Sequence, residues 1–88
     1  MSDLSECVEA VLRAAKNRLQ DSHIEPVART PESVATLLAA GEDVIAYETL
    51  CANLYEVDIV VSRGLLSSLR VAAQRAGADL ALIEILLT

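Results

Sequence analysis

Apolar residues recur every three or four positions along residues 3–20, and polar residues occupy the positions between them. The apolar positions are Leu4, Cys7, Val8, Val11, Leu12, Ala15 and Leu19. This spacing predicts an amphipathic helix over residues 3–20. Its polar side carries charges of both signs, including Glu9 and Arg13 at a favourable i, i+4 spacing, and is typical of ordinary solvent-exposed surface.

A proline and a glycine mark the limits of the next two segments. Residues 21–29 (DSHIEPVAR) are expected to form a connection, because Pro26 acts as a breaker. The second helix is expected to begin at Thr30, which can cap it, with Pro31 at its first position. Gly41 is expected to end this helix, because glycine readily adopts the left-handed conformation found just beyond helix ends.

The third predicted helix covers residues 42–57 and carries a stripe of apolar residues. Its apolar stripe consists of Val44, Tyr47, Leu50, Cys51, Leu54 and Tyr55. Its opposite side carries Glu42, Thr49, Asn53 and Glu56. Glu48 lies at the edge of the stripe, and Asp58 follows just past the helix end.

The last third of the chain is less regular. Residues 58–63 (DIVVSR) fit either an extended connector or a lone strand. A fourth helix is predicted over residues 63–76, with Ser62 as its cap and Gly77 as its stop. The final segment, LALIEILL, can be capped by Asp79, but it is apolar nearly all round and fits a helix or a strand. Burial in the core is the favoured interpretation, and the alternative is a homodimer contact through Leu80, Ile83, Ile85 and Leu87.

Composition agrees with a small helical domain. Hydrophobic residues make up 53% of the 88 residues, aromatic residues only 2%, and most of the apolar residues are Leu, Ala and Val. Leu and Ala favour helices, and a chain of this length forms one domain. We therefore expect an all-α fold, a single domain over residues 1–88 built as a bundle of four to five helices.

The charge balance limits the class of partner. The net charge is −6 and the pI is about 4.5. Nucleic acid phosphates and anionic lipids repel such a domain, whereas basic proteins attract it. The N-terminal residues lack the pattern of a signal peptide, and no apolar run reaches the length of a membrane span. A cytoplasmic location is expected.

Residues with catalytic or metal-binding chemistry are few and scattered. His23 falls in the first connection, and Cys7 and Cys51 fall on the apolar sides of predicted helices. The cysteine spacing does not match a zinc site, and the glycines do not form a phosphate-binding loop. Glu42 and Glu56 would lie about 21 Å apart along an ideal helix, too far to act on one bond. We expect no enzymatic activity, cofactor or metal.

The stretch GEDVIAYETLCANLYEVD, residues 41–58, contains five acidic residues, no basic residue and both tyrosines of the chain. Within it, Gly41-Glu42, then Ala46-x-Glu48-x-Leu50-Cys51, then Asn53-Leu54-Tyr55-Glu56 resembles the signature of MafI-type immunity proteins. These small bacterial proteins bind and block the secreted toxin domain made beside them, in many cases a nuclease. The resemblance covers about 20 residues and implies a toxin-neutralising function without naming the toxin.

The charge pattern of this stretch points to the same kind of partner. An inhibitor of a basic nuclease needs an acidic surface that can sit where phosphate would sit, and complementary charge speeds the encounter. The residues expected to bind the partner are Glu42, Asp43, Glu48, Asn53, Glu56 and Asp58. Tyr47 and Tyr55 are expected to pack in the core instead, with their hydroxyls reaching the surface.

Two other functions remain open. A helical adaptor or oligomerisation module would use LALIEILL as its contact. An acyl carrier protein would need a prosthetic-group serine in an Asp-Ser-Leu turn at the start of its second helix. Asp21-Ser22-His23 begins similarly, but it comes too early and has His in place of Leu.

Overall fold

Helices account for all regular secondary structure in residues 3–88, which is the range that the computed structural model describes. Five helices have seven or more residues, and a sixth has four. They are α1 (Asp3–Gln20), α2 (Glu25–Ala28), α3 (Thr30–Ala39), α4 (Asp43–Glu56), α5 (Arg63–Arg75) and α6 (Ala81–Leu87). The predicted all-α fold is confirmed.

The helices pack around one hydrophobic core, with α1 and α4 at its centre. Helix α4 contacts α1, α3 and α6, while α1 also contacts α2 and α5. The core includes Val8 and Leu19 of α1, Leu50 of α4, Leu69 of α5 and Ile83 of α6, all fully buried. Burying one such side chain contributes about 1.5–3 kcal/mol relative to leaving it in water.

Helix α1 has the bounds that its periodicity predicts. Asp3 and Glu6 lie in its first turn and Arg18 in its last turn, so the charges at both ends complement the helix dipole. Its buried positions include Leu4 and Val11, both members of the predicted apolar side. Helices α1 and α5 also share an ion pair, Asp3 with Arg75, at 3.6 Å on the surface.

Three helices in residues 3–88 end in the same hydrogen-bonded turn, a Schellman motif. After α3, the Glu42 N–H donates to the Leu37 carbonyl at 2.9 Å. The left-handed position of this turn is Gly41, with φ of 79°, and the equivalent residue after α5 is Gly77, with φ of 75°. After α4 the same position is held by Asp58, with φ of 56°. Both predicted glycine stops are confirmed, and the third stop is made by an aspartate.

The connection before α3 differs from the prediction. Pro26 lies in the first turn of α2 and does not break a helix, because a proline in the first turn has no intrahelical hydrogen bond to lose. Thr30 is the first residue of α3 and is buried, so Arg29 holds the cap position instead. Thr30 as a cap was therefore wrong by one residue.

The C-terminal part of the chain resolves the two open choices. The residues from Ile59 to Ser62 form a connector without strand pairing, and Ser62 precedes α5 as its cap residue without a side-chain hydrogen bond. Residues 81–87 form a helix. One carboxylate oxygen of Asp79 accepts a hydrogen bond from the Ala81 N–H at 3.0 Å. Leu80 holds the cap position before α6, so Asp79 as the cap was wrong by one residue.

The length and apolarity of the helices also bear on membrane insertion. Among the described residues, no helix combines the length and the apolar character that a membrane span requires.

Alanine substitutions of two glycines test the helix ends. Gly41→Ala should lower the free energy of unfolding by about 1 kcal/mol or more, because Gly41 has the left-handed φ of 79° that a Cβ disfavours. Gly64→Ala is the matched control: a Cβ added within α5 would meet only Ser62 Oγ, at 3.6 Å. It should raise stability by about 0.5–1 kcal/mol. Urea unfolding followed by circular dichroism measures both, and a loss of equal size from both variants would contradict the assigned turn.

Candidate functional site on helix α4

Helix α4 turns one side toward α1, α3 and α6 and leaves the other in solvent. The buried side consists of Ala46, Tyr47, Leu50, Cys51 and Leu54. Val44 and Tyr55, which the sequence placed on the buried stripe, are 36% and 54% exposed. That prediction was wrong for these two residues. The neighbouring helices cover the side of α4 that carries Ala46, and they cover Val44 and Tyr55 only in part.

Tyr47 is the buried tyrosine, and it joins α4 to the start of α6. Its hydroxyl donates a hydrogen bond of 2.8 Å to the backbone carbonyl of Asp79. Desolvation by burial raises the pKa of Tyr47 well above its ordinary value, and the nearby Cys51 and acidic groups raise it further. The hydroxyl therefore stays protonated as a donor. The position of Tyr47 in the core agrees with the sequence prediction.

The solvent side of α4, here called the outer face, combines acidic and apolar side chains. It consists of Val44, Ile45, Glu48, Ala52, Tyr55 and Glu56, all exposed. Residues four positions apart on a helix are neighbours, so Val44 lies beside Glu48 and Ala52 beside Glu56. Seven large hydrophobic side chains are exposed within residues 3–88, and three of them lie on this face. The sequence prediction found the acids of the outer face but missed its apolar component.

The residues predicted to bind a partner differ in their availability. Glu42, at the cap position before α4, is exposed, as are Glu48 and Glu56 on the outer face and Asp58 after the helix. Asp43 is partly buried and already has an interaction partner.

Asn53 is the least available member of the predicted set. It is partly buried, and its side-chain amide donates a hydrogen bond of 2.7 Å to the Thr49 carbonyl of the preceding turn. The exposed acids Glu42, Glu48, Glu56 and Asp58 thus form the part of the set that a partner can reach directly.

Within residues 3–88, these four acids form no ion pair. The ion pairs found within residues 3–88 join Glu25 to Arg29, Glu84 to Arg70 and Asp3 to Arg75. None of them involves Glu42, Glu48, Glu56 or Asp58. The carboxylates on and beside the outer face therefore face solvent without a cation from the described part of the chain, and a cation from another molecule can approach them.

The two cysteines lack the character of nucleophiles. Burial raises the pKa of the Cys51 thiol to about 12. Cys7 is partly buried, and burial, followed by the nearby charges of Asp3 and Glu6, raises the pKa of its thiol. Both thiols therefore remain protonated near neutral pH.

The potential metal ligands and the single histidine do not form a candidate metal site within residues 3–88. No group of three or more histidine, cysteine or acidic side chains is placed to hold a metal ion anywhere in residues 3–88. His23 is exposed in the connection after α1.

The four residues of the predicted dimer contact differ in their exposure to solvent. Ile83 is fully buried in the core, so it is not available to a second copy, and this part of the prediction was wrong. Leu80 and Leu87 are partly buried and pack against the core. Ile85 is 49% exposed. Ile85 is therefore the one member of this group that is open to solvent.

Comparison with known proteins adds no relative of this chain. No protein-family model matches the sequence, and no curated protein or solved structure matches it. The outer face of α4 is therefore the candidate site on the strength of its own residues.

Two tyrosine-to-phenylalanine substitutions separate the structural tyrosine from the exposed one. Tyr47→Phe should lower the free energy of unfolding by about 1 kcal/mol, because it removes the hydrogen bond to the Asp79 carbonyl. Tyr55→Phe, the matched control, removes a hydroxyl from an exposed side chain and should change stability by less than about 0.5 kcal/mol. Thermal and urea unfolding report both values. A larger loss from Tyr55→Phe than from Tyr47→Phe would contradict the assigned roles.

Proposed function

We propose that this protein is an immunity protein that binds and neutralises a cognate toxin domain, with a nuclease as the class of toxin. The observation that carries the proposal is the outer face of α4, where exposed acids that form no ion pair within residues 3–88 lie beside exposed apolar side chains. The resemblance of residues 41–56 to MafI-type immunity proteins supports the same function. In this proposal the bound protein blocks the toxin by covering its functional surface, so it needs no catalytic group and no cofactor.

Charge complementarity explains why the partner would be a nuclease. An enzyme that binds phosphate backbone presents Lys and Arg side chains near its active site. The net charge of −6 attracts such a surface over a distance, and the exposed carboxylates Glu48 and Glu56 can pair with its cations at contact. Binding there would cover the toxin's active site or its nucleic-acid-binding surface.

Apolar side chains on the outer face would supply affinity. Interface energy is concentrated in a few large anchors, with tyrosine among the commonest. Tyr55 is more than half exposed, and Val44 and Ile45 lie on the same face. A specific interface buries about 800 Å² on each partner. The outer face is one side of a 14-residue helix, so a toxin would cover this face and extend onto adjoining elements.

A self-associating adaptor module is the second candidate function, and one observation favours it. Ile85 in α6 and Val60 before α5 are exposed apolar side chains of the kind that a second copy could cover. The charge argues against it, because two copies carrying −6 each repel one another.

The third candidate, an acyl carrier protein, gains nothing from the geometry. Ser22 lies past the end of α1 and before α2, and its hydroxyl accepts a hydrogen bond from the Ile24 N–H at 3.1 Å. It does not stand at the start of a helix, where a carrier's serine belongs.

A rescue experiment tests the proposed function. Cells that express the toxin encoded by the gene neighbouring that of this chain should survive when this protein is co-expressed, and should die without it. Absence of protection at matched expression levels would contradict the proposal. A purified pair should also form a one-to-one complex on size-exclusion chromatography with light scattering.

Charge reversal tests the surface. Glu48→Lys combined with Glu56→Lys should slow association with the toxin domain by about tenfold or more at low salt, because steering charges are inverted. The matched control, Glu9→Lys with Glu32→Lys, changes net charge by the same amount on exposed positions of α1 and α3. Its effect should stay within about threefold. Stopped-flow kinetics compare the two, and equal slowing would show that total charge matters and that the outer face of α4 does not.

A further inference from the structure

A groove of about 220 Å³ opens at the C-terminal end of α4. It lies between the end of α4, the connection before α5, the start of α5 and the end of α6, and is here called the α4–α6 groove. Its lining includes Leu54, Val61 and Leu66, which are buried core residues. The groove therefore leads from the surface directly onto the hydrophobic core.

Exposed apolar side chains from three different elements converge on this groove. They are Tyr55 of α4, Val60 of the connection, which is 77% exposed, and Ile85 of α6. With Val44 and Ile45 of the outer face, they make five of the seven large hydrophobic side chains exposed within residues 3–88. The three that line the groove lie together, and a contiguous apolar patch marks an interaction surface, whereas single exposed apolar residues do not.

Asp58 supplies a carboxylate to the same groove. It lines the groove and is exposed, and it makes no ion pair within the described residues. It also holds the left-handed position that Gly41 and Gly77 hold after the other two helices. Glycine adopts this backbone with least strain, although aspartate tolerates it better than most residues. Asp58 therefore places a negative charge here although glycine would stabilise this left-handed backbone position more.

We propose that the α4–α6 groove receives an apolar side chain of the toxin, with a neighbouring arginine or lysine of the toxin pairing with Asp58. This inference rests on the proposed function and specifies where the contact extends beyond the outer face. The groove is continuous with that face, because Tyr55 belongs to both.

Size and charge select this occupant. The volume of about 220 Å³ is below the range of about 300–1,000 Å³ that is usual for small-molecule sites, and it suits one or two protein side chains. A second copy of this chain would bring another net charge of −6 to a groove that already contains Asp58. A cationic protein with a protruding apolar side chain complements both the apolar lining of the groove and the carboxylate of Asp58.

The decisive experiment uses the full chain and a catalytically inactive form of the neighbouring toxin as the probe. Val60→Ser combined with Ile85→Ser should raise the dissociation constant at least about tenfold, measured by isothermal titration calorimetry. The matched control, Val71→Ser with Ile24→Ser, changes the same residue types at exposed positions that do not line the groove. It should change the dissociation constant by less than about threefold.

A third variant isolates the carboxylate. Asp58→Asn keeps a side chain that tolerates the left-handed backbone and removes only the charge. It should weaken toxin binding and reduce the dependence of affinity on salt concentration, since one screened charge pair is lost. Retention of both the wild-type affinity and the wild-type salt dependence would overturn the role of Asp58.

The outcomes distinguish a failure of the groove assignment from a failure of the proposed function. If the wild-type protein binds the toxin and the Val60/Ile85 variant binds equally well, the groove assignment is overturned while the function stands. If the wild-type protein does not bind, the proposed function fails and the groove assignment fails with it.

Sedimentation equilibrium supplies the remaining outcome: a dimer that the double variant abolishes would assign the groove to a second copy. Should Ile85→Ser impair folding, Val60→Ser alone retains the test, because Val60 is the most exposed of the three side chains.

Discussion

Helix α4 can bury only one side, and the neighbouring helices α1, α3 and α6 decide which. Apolar residues occur on nearly all sides of this helix, so its own pattern admits more than one orientation. Packing selects the side that carries Ala46, Leu50 and Leu54. The outer face then necessarily presents Tyr55 together with the acids, and the candidate binding surface follows from the way the core is filled.

The same packing fixes α6 and the α4–α6 groove. Tyr47 reaches from α4 to the Asp79 carbonyl, and Asp79 in turn holds the first N–H of α6. Ile83 is thereby placed in the core, while Ile85 remains exposed beside the groove. The two tyrosines therefore have different environments: Tyr47 is buried and links α4 to the start of α6, whereas Tyr55 is exposed.

Local features were predictable from the sequence, and choices that depend on tertiary contacts were not. The bounds of α1 and the glycine stops after α3 and α5 follow from periodicity and backbone preference, and they match the structure. The burial side of α4 followed only in part, because apolar residues also occur on its solvent side: four of the six predicted stripe residues are buried, whereas Val44 and Tyr55 are exposed. The contact between Tyr47 and Asp79 spans 32 positions, and no local pattern contains it. The acids of the candidate site were identified, whereas the groove brings together residues from separate elements and required the fold.

The most direct test of the outer face of α4 as the partner surface is a ¹H–¹⁵N NMR titration of this chain with the inactive toxin domain. If the outer face is the partner surface, the largest shift changes should fall on residues 44–60 and on Ile85, and the exposed side of α1 around Arg13 and Lys16 should be unaffected. Large changes confined to α1, with the resonances of Glu48, Tyr55 and Glu56 unmoved at saturation, would contradict it.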